Sequence, residues 1–359
     1  MGKQFLSFVF TIIQKTFLLI SLVIISNLMV NAQAVYVDSN TGNDNNNGTI
    51  QSPFFSIQKA LEIIKNKDND IYVIKINPGI YIPEKPLVIN TEKETDNKRI
   101  VIEAAILPGD TAWRPEKMPV VISKSKKGDL PEYYHFVAAF LVDESHVSIR
   151  GLKFPGYFYP NTRYFPIARF NKEKTDLLVE QCMFVGDRHA SHIQVGVIAH
   201  GDEIKIDHCV FYNAKNAAVY WESSGEGNKT GNSFTNNIVY GAFQCAVWLA
   251  WPDNDFIIKN NIITNCKHAW IKNYFNKTKY SIQNCYIVKN EHYQGVTSDA
   301  GVVPGTFEMN ETNIIKEGNI SLRMMDDNVD IPLPVDYLHI IPNTPGFEIG
   351  AGLFKSNAK

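Results

Sequence analysis

Strand-forming segments recur every 24 to 28 residues, with a small or amide residue at the same place in each, and this periodicity predicts an all-β solenoid. A lone amphipathic helix ahead of the repeats completes the expected fold. It is a single-stranded right-handed parallel β-helix with a short N-terminal capping helix. The composition, 45% hydrophobic and 20% charged over 359 residues, is that of an ordinary globular chain.

Residues 1–34 read as a secretory signal peptide. Lys3 and Lys15 flank an early apolar stretch, and Thr16 to Val30 forms a long apolar core. The segment Asn31-Ala32-Gln33-Ala34 then sets small residues at alternate positions, which suits cleavage after Ala34. A secreted or periplasmic protein follows. Residues 35–359 hold no further run of about 18 apolar residues, so no membrane span is expected after cleavage. Without the two leader lysines the body carries 33 basic against 37 acidic residues. A nucleic-acid binder would show a basic excess, and that class is set aside.

Val35 to Asp38 is the first strand, followed by a polar turn at 40–48. From Ser56 to Lys65, Ile57, Ala60, Leu61 and Ile64 fall on one helical face. Such a helix suits the open end of a β-helix, whose first coil would otherwise expose core and strand edges. Ile71 to Ile76, Asn77 to Tyr81 and Leu87 to Ile89 then give strand, turn and strand. The expected organisation of the mature chain is one domain, 35–359. Its N-terminal cap and first coils span 35–100, its coils 101–350, and its tail 351–359.

The repeats are clearest in the second half. Leu177 to Phe184, Ile204 to Phe211, Asn232 to Val239, Phe256 to Ile263 and Tyr280 to Ile287 align on positions 182, 209, 237, 261 and 285. Weaker copies surround Gly151 and Gly318. Apolar alternation within each unit means strands. Asn237 and Asn261, with Cys182, Cys209 and Cys285, fit one internal ladder at a turn where an amide side chain accepts left-handed backbone. Cys245 and Cys266 bring the cysteines to five, an odd number without metal-ligand spacing. They read as small buried thiols rather than disulfides or a zinc site.

Several residues carry a family resemblance. Tyr36-Val37-Asp38, Gly42, Asn43-Asp44, Gly48-Thr49, Ser52-Pro53-Phe54, Ile57 to Leu61 and Pro78-Gly79-Ile80-Tyr81 resemble the opening of secreted bacterial pectate-lyase-like β-helix proteins. The ending Pro345 to Ala351 is similar to their terminus. The resemblance implies an exported protein handling polysaccharide, often rich in uronic acid. It does not select an activity, since that superfamily holds lyases, hydrolases, epimerases and adhesins.

In that family's geometry, the strand after the third turn of each coil carries substrate. Here those strands are expected at 167–172, 193–200, 217–222, 246–251, 269–274 and 296–299. If Val219, Trp221, Val247, Leu249, Ala269 and Ile271 point inward, then Tyr220, Trp248 and Trp270 form an outward aromatic row, with Glu222, Ala250 and Lys272 beside it. Trp248, Trp270 and Trp251 are the expected sugar platforms. Arg169, Asn171 and His200 would extend the same face. Arg188 and His192, in the turn Arg188-His189-Ala190-Ser191-His192, are candidates for sulfate or carboxylate binding.

β-Elimination from a uronate needs a partner for the carboxylate, a base, and an acid for the departing oxygen. Arg169 suits the carboxylate. His200 or Lys272 is the candidate base, Lys272 only with a lowered pKa. Tyr220 serves as acid or base. A glycosidic leaving group makes a polysaccharide lyase, and a terminal hydroxyl a dehydratase. Glycoside hydrolysis is the alternative, with Glu222 paired to Asp253 or Asp299, and a non-catalytic glycan-binding protein is a third reading. Calcium is found in relatives that cleave pectin or alginate, and the acidic pair near this face is Asp253 and Asp255. The expected partner is a poly- or oligosaccharide, bound by a monomer.

Overall fold

The structure, a computed structural model, describes residues 33–91, 98–130, 136–159, 162–222, 230–325 and 330–355. Most of the expected leader lies outside the described residues. Among the described residues the chain winds as a right-handed parallel β-helix. Each full coil gives one strand to a nine-stranded sheet and two to a seventeen-stranded sheet. One coil, for example, runs Val195–Ala199, Ile204–Asp207 and Val210–Tyr212. The strand pairings are parallel except for the closing hairpin of His292–Ser298 with Gly301–Pro304.

The helix Ile57–Lys65 buries Ile57, Ala60, Leu61 and Ile64 over the first coils. Ser56 caps it, its hydroxyl accepting the Lys59 N–H at 3.1 Å. The four residues picked out by helical periodicity are the four that are buried.

Two amide ladders hold the sharp corner between the strands of the larger sheet. The inner one runs as expected. The Cys209 N–H donates to Asn237 Oδ1 at 2.8 Å, and the Asn237 N–H to Asn261 Oδ1 at 2.9 Å. The left-handed residues, however, stand one position earlier. They are Gln181, His208, Asn236, Asn260 and Asn284, with φ between 49° and 56°. Their side chains form a second, outer ladder in which Asn260 Nδ2 donates to Asn236 Oδ1 and Asn284 Nδ2 to Asn260 Oδ1, at 3.0 and 2.8 Å. All five cysteines are free and buried.

Coils were expected through residue 350, but among the described residues the last strand is Met309–Ile315. The chain then returns along the outside, where Leu322, Leu338, Ile340 and Leu353 cover Met183, Val210, Ile238 and Ile262. Those four point away from the solenoid core and would otherwise form a continuous apolar stripe in water.

Alternation in the nine-stranded sheet breaks at the same place in successive coils. Ala217 and Ala218, Ala246 and Val247, and Ala269 and Trp270 are consecutive pairs whose members all lie in the core. The first of each pair is skipped in the ladder. Register passes from Asn216↔Cys245 to Ala218↔Val247, and from Cys245↔His268 to Val247↔Trp270. This stacked, bulge-like step shifts every later side chain in the strand to the opposite face.

Candidate functional site

The step decides what the outer face of this sheet presents. Ala168, Ile198, Val219, Trp248 and Ile271 are cross-strand neighbours in one row. Phe136, Phe165, Ala168 and Val219 form an apolar cluster on this side of the sheet, with Phe170, Ile198 and Trp248 packed against it. Phe170, His200 and Trp221 follow the ends of three successive strands. Ring centroids lie 4.5 Å apart for Phe136 and Phe170, 5.4 Å for Phe170 and His200, 6.4 Å for His200 and Trp221, and 5.8 Å for Trp221 and Trp248. The result is an aromatic line running from coil to coil. Trp221 is 39% exposed, and Trp248 Nε1 donates to Asn273 Oδ1 at 2.9 Å.

An outward aromatic row was expected, and there is one, but only Trp248 of the three residues assigned to it lies there. Tyr220 and Trp270 face the core, and Trp221, expected inside, is outside. The same correction applies to Arg169 and Lys272. Arg169 is fully buried, its Nε donating to the His200 carbonyl at 2.8 Å and its Nη2 to the Asp202 carbonyl at 3.0 Å. Burial lowers its pKa to about 10, against the pull of Asp202, Asp176 and Glu203. Lys272 Nζ donates to the Thr278 carbonyl at 3.2 Å, and burial lowers its pKa. The Tyr220 hydroxyl donates to the Ser233 carbonyl at 2.6 Å, and burial raises that phenol. All three are turned away from the outer face.

His200 and Glu222 remain on the accessible side. Burial among the rings pushes the His200 imidazole down to about 4, against the opposing pull of the Glu222 carboxylate. It is therefore neutral at neutral pH. Glu222 pairs with Lys172 at 3.1 Å across two coils, and Asn171 Nδ2 donates to Asp143 Oδ1 at 3.2 Å. The Gly201 that follows His200 has φ of 88°, and a Cβ there would lie 2.2 Å from the Lys174 carbonyl oxygen. Glycine at 201 lets the turn close beneath His200.

Trp251, 39% exposed, packs edge-on against Phe275 at 5.8 Å. With Trp221, Glu222 and Asp253 it lines a pocket of about 10 Å³, enough for one water. Asp253 is buried, and burial raises its carboxyl to about 7. Its Oδ2 accepts from the Thr230 hydroxyl and from Asn232 Nδ2, and Asp255 Oδ1 accepts the Thr230 and Gly231 N–H groups. Calcium takes six to eight oxygens, and among the described residues no group of three or more His, Cys, Asp or Glu side chains comes together around this pair.

Arg188 and His192 lie off the row, on the turn that precedes the strand Val195–Ala199. Phe170 and Phe136 were not anticipated at the site. The readable signal was the recurrence of a small residue followed by an apolar one early in each strand, as in Gly196-Val197, Ala217-Ala218, Ala246-Val247 and Ala269-Trp270.

Fold and site together define a parallel β-helix protein with an aromatic-lined outer face. Residues 174–325 match the family model described as right handed beta helix region. A solved structure of a rhamnogalacturonan lyase aligns with 90% of this chain and 100% of its own, at 14% identity and a TM-score of 0.42. No curated protein matches the sequence.

Proposed function

We propose that this protein is an exported carbohydrate-active enzyme that takes a uronic-acid-containing poly- or oligosaccharide on the aromatic line and acts by β-elimination, with His200 moving the proton. The observation that carries this reading is a half-buried imidazole, neutral at neutral pH, set within the ring series between Phe170 and Trp221. The rings suit the apolar faces of sugars. Lys172, beside Glu222, is the cation on this edge that can meet the substrate carboxylate. His200 takes the proton from the carbon next to the carboxylate, the C–H electron pair left behind becomes the second bond of the new C=C, and the C–O bond breaks with its own pair leaving on the departing oxygen. The imidazolium then returns the proton to the departing oxygen, so one group serves as base and acid where Tyr220 is turned inward.

The test is ultraviolet absorbance of the unsaturated product during incubation with uronic-acid polysaccharides and their oligomers. We expect a rise that His200→Gln lowers by ~100-fold or more. A rise unchanged by His200→Gln would refute the assignment. Product masses separate chain cleavage from loss of water.

Hydrolysis is a second reading, favoured by one observation. Asp253, raised to about 7 by burial, shares a pocket with the Glu222 carboxylate, and glycoside hydrolysis uses two such carboxyl groups. The pocket has room for water but not for a sugar, which places this reading second. New reducing ends without ultraviolet absorbance, lost on Asp253→Asn, would reverse the order.

A further inference from the structure

At the opposite margin of the same sheet, where its strands begin, three successive coils bring five basic side chains to one cleft of about 500 Å³. Arg163, Arg188, His189, His192 and Lys215 line it, and Arg188 lies over the Phe243 ring, 5.5 Å from its centroid. No carboxylate lines the cleft. Among the described residues none of the five makes an ion pair. Asp187, on the same turn, is occupied instead by the N–H groups of His189 and Ala190, each at 2.7 Å.

Unpaired like charges held together raise the free energy of the folded chain. Lys215 registers this directly, since burial and then the neighbouring Arg163 both lower its pKa. A mature body that carries more acids than bases puts no carboxylate in the lining of this cleft, and Asp187 beside it acts on His189 alone of the five. The Arg188 guanidinium is also steadied by its aromatic neighbour, which leaves its N–H fork free for an oxyanion. The arrangement is satisfied when the missing negative charge arrives with a ligand.

We propose that this cleft is an anion subsite that binds a sulfate ester or carboxylate carried by the glycan. The inference rests on the glycan reading above and adds where the charge is read. From Lys215 to Trp221 is six residues along a strand, roughly 20 Å at about 3.3 Å per residue. The group bound here therefore belongs to a different sugar unit from the one on His200, either a branch or a chain crossing the sheet.

The experiment is equilibrium binding of the mature protein to three polymers of one backbone: dextran, carboxymethyl-dextran and dextran sulfate, each at low and high salt. We expect both or one of the anionic polymers to bind at least ~10-fold more tightly than dextran at low salt, with the advantage shrinking at high salt. The two anionic arms tell carboxylate from sulfate. Arg188→Ser with Lys215→Gln should erase the advantage without lowering the thermal midpoint, and Arg188→Lys should keep part of it. Equal binding of all three polymers by the wild type, or an advantage that survives the double substitution, overturns the proposal. The elimination reading fails separately. If no unsaturated product forms yet the selectivity vanishes in the double variant, the subsite stands and the reaction does not. If product forms and the double variant keeps its selectivity, the reverse holds.

Discussion

His200 should remain neutral far below the pH at which an ordinary histidine charges. Its imidazole is pushed from the usual 6.5 down to about 4 by burial among Phe170, Trp221 and the turn at Gly201. At pH 5.5 an unperturbed imidazole is about one-tenth neutral, whereas His200 would be more than about nine-tenths neutral. Trp221, 6.4 Å away centroid to centroid, is a built-in reporter, because a charged imidazole near an indole changes its emission. Titrating the fluorescence difference between wild type and His200→Gln should give a midpoint near 4, and the acid limb of the elimination rate should follow it. The linkage sign is fixed: the unfolded chain binds this proton first, so stability from His200 is fully present above about 6.5 and is lost as pH falls toward 4. The full shift corresponds to about 3.4 kcal/mol, and partial exposure reduces the expected loss to ~1–2 kcal/mol. A midpoint near 6.5 in both titrations would refute the packing described for this imidazole.

Three further substitutions test the architecture. Trp270→Ala should cost ~3–5 kcal/mol of stability by opening a core cavity, while Trp221→Ala should cost less than ~1 kcal/mol but weaken glycan binding about tenfold; chemical denaturation and binding isotherms that showed the opposite pattern would restore the alternating register. Asn261→Ala should lower stability by ~2–5 kcal/mol, because it strips partners from the buried Asn237 N–H and Phe234 carbonyl; an unchanged urea midpoint would mean that the ladder contributes nothing net.

The solenoid was legible because its signals are local and repeated. A step of 24 to 28 residues, four apolar positions on one helix face and a small or amide residue at each corner all reappear in the structure. The facing of the site strands was not legible in the same way. Period-two alternation assumes an unbroken pleat, and here two neighbouring residues turn inward in each coil. An alternation counted from Ala217 and Ala269, before the skipped step, puts Tyr220 and Trp270 on the wrong face, whereas one counted from Val247, after it, leaves Trp248 outside as found. The cue lay in the small residues themselves. Ala217, Ala246 and Ala269 occupy the skipped position, where a second inward side chain has little room, and Gly196 is the extreme case, since a Cβ there would lie 2.7 Å from the Phe211 ring.

That exchange also changes what the inward polar residues do. Arg169, Tyr220 and Lys272 were selected as chemically capable side chains at strand ends, and each instead donates to a carbonyl beyond the sheet: His200 and Asp202, Ser233, and Thr278. Buried backbone carbonyls at and after the turn that leaves the sheet call for donors. A donor long enough to reach them from the core has to be a large polar residue at the last inward position. Such residues resemble catalytic ones in sequence because both tasks call for strong donors close to the turn. Arg169 joins the two tasks, since the carbonyl it holds belongs to His200 itself. The buried guanidinium thus fixes the backbone from which the imidazole projects onto the outer face, and its charge helps keep that imidazole neutral. If His200 moves the proton as proposed, Arg169 is the residue that positions it.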